Sequence, residues 1–273
     1  MMENRKGFTL VELLIVVVLG GLIMAATFRV LVSNQQVYTA QSATVMGQQT
    51  VRGAIELLGG EIRELSTAAD PFLGSDLITM DEDRIRMRVM RKVAVVCGVT
   101  DTDPLSVHAA VRGAQFAAGD SVVIHADGMD DPAAHFWARG EVQSTPSSSL
   151  NCGDEPSQRI LIANPVPGIS SANQVASGSL IRTFETIEYS TVTLGGEVYL
   201  GRGLGSDPLE PVIGPIAATG GLRFGYLDAS GTPTTTASEV RTIEVTVRTL
   251  SGARGPGGDP ISDSLTVFVN PRN

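Results

Sequence analysis

Two hydrophobic rhythms divide the chain. Residues 8–28, FTLVELLIVVVLGGLIMAATF, are apolar throughout except for Glu12 and two threonines. As a helix rising 1.5 Å per residue, that run spans about 30 Å, the thickness of a bilayer's hydrocarbon core. Beyond Arg29 polar residues enter and the spacing becomes that of an amphipathic helix. Val51, Ile55, Leu58, Ile62 and Leu65 follow one another at steps of four, three, four and three, which sets one apolar stripe. Arg52, Glu56, Glu61, Arg63 and Glu64 lie mainly off that stripe. Proline is absent until Asp70-Pro71, which is expected to end the helix, while Gly59-Gly60 is expected to bend it.

From about residue 72 the period shortens to two. RIRMRVM (84–90) puts Ile85, Met87 and Val89 on one face and Arg84, Arg86 and Arg88 on the other, a strand with a charged outer face. KVAVVCGV (92–99) reads as a further strand, as do DSVVIHA (120–126) and RILIA (159–163). The polar stretch STPSSSLNCGDEPSQ (144–158) reads as a loop. SLIRTFETIEYSTVTLGGEVYLGRG (179–203) predicts two strands about a Gly-Gly turn. Ile243, Val245 and Val247 share one strand face, SGARGPGGDP (251–260) makes a hairpin tip, and Leu265, Val267 and Val269 share a face of the last strand. The predicted class is α+β: a long N-terminal helix, membrane-spanning in its first half, packed on a C-terminal antiparallel β-sheet head. The predicted divisions are a leader (1–7), an apolar helix (8–28), its amphipathic continuation (29–70) and a β-rich head (71–273).

The flanks orient this plan. Arg5 and Lys6 precede the apolar run, so that end is expected in the cytoplasm and the head across the inner membrane. A secretory signal peptide would have a shorter core and a small-residue cleavage site, which MAAT (24–27) does not supply. A plain anchor gains nothing from Glu12, because an acid at the centre of a membrane helix costs about 3 kcal/mol. Glu12 is therefore a candidate functional residue.

The formal charge of -9 disfavours nucleic acid as a partner of the bulk surface. RIRMRVMRK (84–92) is the one basic cluster, and its alternation already explains it as a strand. Cys97 and Cys152 form no CxxC pair and have no zinc-type histidine spacing. In an exported chain they are expected to form a disulfide, the alternative being two free thiols. His108, His125 and His135 are isolated in sequence, and no HExxH pair or GxSxG elbow is present. HADGMDD (125–131) and MDED (80–83) are acidic enough for calcium but lack EF-hand spacing, and read as solvated turns. GRGLG (201–205) reads as a turn, not a nucleotide loop. No enzyme activity, cofactor, metal or small-molecule substrate is expected.

RKGFTLVELLIVVVLGGLIMAA resembles the N-terminus of type IV pilins and type II secretion pseudopilins: a short basic leader ending in Gly, then Phe, then Thr-Leu-hydrophobic-Glu, then a long apolar helix. The resemblance implies cleavage between Gly7 and Phe8 by a prepilin peptidase, N-methylation of the Phe8 amine, and retention of the apolar run as an assembly helix. It also implies that Glu12 neutralises the N-terminal amine of a neighbouring subunit. Each charge is costly alone in an apolar medium and tolerable as a pair. Major pilins commonly carry a proline where this chain has Arg29, so its absence leans toward a minor pilin or pseudopilin.

The C-terminal third resembles the PilW minor pilins and the J-type pseudopilins. The resemblance is carried by Tyr199-Leu200 with Arg202, by Gly221 to Asp228 followed by Gly231, by Val240 to Ile243, and by the terminal Arg-Asn. Residues 72–178 carry no such likeness. The resemblance implies a minor type IV pilin that initiates or caps a fibre. A type II secretion tip pseudopilin is the alternative, with a competence pseudopilin for DNA uptake behind it. The implied partners are other pilins or pseudopilins, the prepilin peptidase and inner-membrane lipid.

Overall fold

The computed structural model describes residues 9–70, 72–127, 135–146, 151–153, 155–166, 168–169, 171–255 and 257–272. One helix, α1 (Leu10–Arg63), runs without interruption through Gly20-Gly21 and Gly59-Gly60. It ends at Arg63, seven residues before Asp70. Tight bonds from Glu64 N–H to the Glu61 carbonyl and from Leu65 N–H to that of Ile62 close the last turn. Sheet pairing then takes over from the helix: Ser66 bridges Arg272, and its N–H donates to the Asp76 carboxylate at 3.0 Å.

The chain divides into two compact units. One comprises residues 1–49 with 250–263, the other 50–249 with 264–273. In the first, every large apolar side chain described from Leu10 to Phe28 is between 50% and 80% exposed. Among the described residues, no segment of the chain covers that surface.

The second unit holds the sheets. Its strands are β1 (Leu77–Met80), β2 (Ile85–Thr102), β3 (Leu105–Arg112), β4 (Ser121–Ala126), β5 (Phe136–Ser144), β6 (Asn151–Cys152), β7 (Glu155–Val166), β8 (Leu180–Leu194), β9 (Glu197–Leu204), β10 (Glu210–Ile216) and β11 (Leu222–Leu227), with most of β12 (Thr242–Arg254) and β13 (Pro260–Val269). Val51, Ala54, Leu58 and Ile62 of α1 are buried in one core with Ile85, Met87 and Val89 of β2, Ile187 and Tyr189 of β8, Leu200 of β9, and Phe224, Ile243 and Val245 of the β11-β12-β13 sheet. The stripe is as expected but wider: Leu65 is buried with it, Ile55 is half-buried against the same core, and Ala54 joins it. Gly59 is also buried, and a Cβ on it would stand 3.8 Å from Val269 Cγ2. Off the stripe, Glu61 receives both terminal nitrogens of Arg91 at 2.9 Å each, a fork that ties helix to β2.

A second core lies apart from the helix. β2 and β8 are long, and their far halves leave the helix-backed sheet to join a closed antiparallel barrel. Strand pairing runs β2–β3, β3–β7, β7–β5, β5–β4, β4–β8 and back from β8 to β2. Val93–Val95 pair on both sides at once, with Arg112–Ala110 and with Arg182–Leu180. Closure removes the exposed edges that an open insert would present. Alternate residues fill the interior: Val96, Leu105, Val107, Val122, Ile124, Ala138, Ile160, Ile162 and Ile181 are essentially inaccessible.

Several strand expectations change accordingly. The segments 84–90 and 92–99 are one strand, β2, with a register shift between Met90 and Val93 where it passes from sheet to barrel. Both glycines of the β8–β9 turn have positive φ, 63° and 87°, as that tight hairpin requires. The expected loop 144–158 is shorter, because its described part contains β6 and the start of β7.

Candidate functional site

Gly7 and Phe8, the expected cleavage and methylation residues, lie outside the described residues. Thr9 and Glu12 are described, and they form a reciprocal cap on α1. Thr9 N–H donates to Glu12 Oε2 at 2.9 Å, the Thr9 hydroxyl donates to the same oxygen at 3.0 Å, and Glu12 N–H donates to Thr9 Oγ1 at 3.2 Å. This is a capping box, which satisfies backbone donors that a helix start leaves unpaired. Glu12 therefore has a partner in its own chain. The spacing Thr9-x-x-Glu12 is the signal that carries it, and assigning Glu12 to a neighbouring subunit alone passes over it.

The basic strand of the head keeps its outer face exposed at Arg84 but not along its whole length. Ile85, Met87 and Val89 point into the helix core as expected, but Arg88 on the other face is only 7% exposed. Its guanidinium bonds Asp76 at 3.0 Å and lies over the Phe184 ring, which Arg139 of β5 also faces. Burial pushes the Asp76 carboxyl up, while the Ser66 N–H and the Arg88 guanidinium pull it down. MDED (80–83) leads into a largely exposed bend, as expected, and two of its acids are paired there. Asp81 pairs with Arg84, Glu82 pairs with Arg223, and the Glu82 carbonyl accepts the Phe224 N–H at 2.7 Å.

Cys97 of β2 and Cys152 of β6 are joined by a disulfide, with Cα atoms 5.6 Å apart. His108 is buried on β3, where burial and the neighbouring Arg159 push its imidazole down. The other two histidines are not isolated in space. His125 and His135 converge on Asp127 where β4 ends and β5 begins. A groove of about 830 Å³ lies beside Arg88, Arg139, Glu141 and Asn164. Its described lining brings together no nucleophile and base.

A capped apolar helix with no cover among the described residues, continuing into a stripe buried under antiparallel sheets, is a type IV pilin-like α+β architecture. Residues 2–28 match the family model described as the prokaryotic N-terminal methylation motif. The motif supports a pilin-like chain that is processed by a prepilin peptidase and assembles with other subunits. No curated protein and no solved structure matches the chain.

Proposed function

We propose that this chain is a minor type IV pilin: a non-enzymatic subunit that helps initiate or cap a pilus. It is cleaved between Gly7 and Phe8, methylated on Phe8, and held in the inner membrane with its head in the periplasm until assembly. The observation that carries this reading is the uncovered apolar helix surface from Leu10 to Phe28, opened by Thr9 and Glu12 directly after a basic leader. Such a surface is stable only in lipid or against other helices. A fibre of like helices supplies the second environment. The bulky head and the arginine at position 29 favour a minor over a major subunit.

The intact mass of protein from the native host tests the processing. A chain beginning at methylated Phe8 is expected, and one retaining residues 1–7 sinks the reading. The capping box makes a sharper test of Glu12 available. Glu12→Gln keeps an acceptor for the Thr9 N–H but loses the charge. If Glu12 pairs with a neighbour's amine, Glu12→Gln and Glu12→Leu both insert in the membrane and both enter fibres poorly. If Glu12→Gln is incorporated normally, its role is the cap alone and the inter-subunit pair is wrong.

A further inference from the structure

The β4–β5 hairpin pairs Ser121 with Glu141, Ile124 with Ala138, His125 with Trp137 and Ala126 with Phe136. One further step in that register sets Asp127 opposite His135. Strand side chains alternate between faces. Val122, Ile124, Ala126, Phe136 and Ala138 belong to the barrel core. His125, Asp127, His135 and Trp137 therefore share the outward face. Their contacts agree with that placement. His135 Nδ1 lies 2.7 Å from Asp127 Oδ1, His125 Nδ1 lies 3.9 Å from the same oxygen, and the two imidazoles are tilted by 31° with centroids 5.3 Å apart. The Trp137 ring meets His125 edge-on at 5.3 Å. The Asp127 backbone is pinned by its N–H, which donates to the Gln174 carbonyl at 2.8 Å.

We propose that His125, Asp127 and His135 bind a divalent transition-metal ion of the zinc class. One ligand atom from each residue already lies within 4.8 Å of the other two. Zinc held at about 2.0–2.2 Å needs its ligands roughly 3.3–3.6 Å apart, so the wider pairs must draw in by up to about 1 Å while the hydrogen-bonded His135–Asp127 pair, now at 2.7 Å, must open by about 0.6 Å. Side-chain exposures of 31%, 39% and 56% leave room for that rotation. Two imidazoles and one carboxylate suit zinc, copper or nickel, and are a poor set for calcium, which takes six to eight oxygens. Three protein ligands leave one position for water or for a donor on another molecule. Both cysteines are committed to the disulfide and do not compete. The proposal is independent of the assembly reading.

The test uses the full-length chain in detergent micelles, titrated with zinc chloride. Trp137 is the only tryptophan and reports on the site. One equivalent should bind saturably with a change in Trp137 emission, and cobalt chloride should give the visible bands of a low-symmetry nitrogen–oxygen site. Loss of even an outer partner of a metal ligand costs about 10–100-fold in affinity, so His125→Gln, His135→Ala and Asp127→Asn should each weaken zinc at least that much. A large excess of calcium chloride should not displace it. The proposal is overturned if millimolar zinc gives no saturable change, if calcium competes efficiently, or if His125→Gln with His135→Ala, folded by circular dichroism, binds as tightly as the parent.

Discussion

The two cores of the head are built by opposite means. The helix core is assembled from separate pieces: a stripe of α1, the inner face of β2, β8 and β9, and the small β11-β12-β13 sheet. The barrel core has no helix and is enclosed by one ladder that returns on itself. The first needs the N-terminal helix in place, whereas the second is completed by strands between residues 93 and 183. The two are nevertheless not separate domains, because β2 and β8 run through both. A pilin-like helix and sheet can thus carry a closed module grafted onto two of their own strands, with the helix contact kept on the other halves of those strands.

The largest effect that can break this comparison is on the barrel's cross-link. Replacing Cys97 and Cys152 by Ala opens a loop closed across a sequence separation of 55, worth about 4 kcal/mol in the chain-entropy model. Chemical denaturation followed by Trp137 emission should register that loss. Next comes a matched pair of cavities. Leu58→Ala in the helix core and Ile162→Ala in the barrel should each cost about 2–5 kcal/mol. Because β2 and β8 are shared, each should lower the transition seen by Trp137 emission and by far-ultraviolet circular dichroism together. A barrel signal that melts alone after Leu58→Ala would show that the two cores are uncoupled.

The smallest effect lies near the boundary, at Asp76. Its carboxyl is held above its ordinary value of 3.8 chiefly by burial, so the native state holds the proton more tightly than the unfolded chain. Its contribution to stability is therefore greatest below 3.8 and is lost as pH rises through the raised native value. Asp76→Asn should remove that slope, so the urea midpoints of parent and variant should diverge with pH across this interval. Parallel midpoints would remove Asp76 from the account.

What could be read directly was local. The apolar run and Thr9-x-x-Glu12 are short-range patterns, and Val51, Ile55, Leu58, Ile62 and Leu65 of the helical stripe all lie in or against the core, with Ala54 added to them. Ile85, Met87 and Val89 were legible because a strand's period does not depend on what it pairs with. The buried state of Arg88 was not, since Asp76 arrives from the bend before β1 and Phe184 from β8. The barrel was invisible for the same reason on a larger scale: closure rests on β3–β7 and β4–β8 pairings between residues far apart in the chain.

By itself, then, the sequence determined that this chain opens with an N-terminal methylation motif that runs into an apolar helix, and that a β-rich head comes after it. Those features depend on composition and period, which are properties of neighbouring residues. Tertiary structure alone decided that the head has two cores, that Arg88 is buried beside Asp76 and Phe184, and that His125 and His135 face one aspartate. Each of these needs a register between strands, and register is fixed by which faces can be buried together.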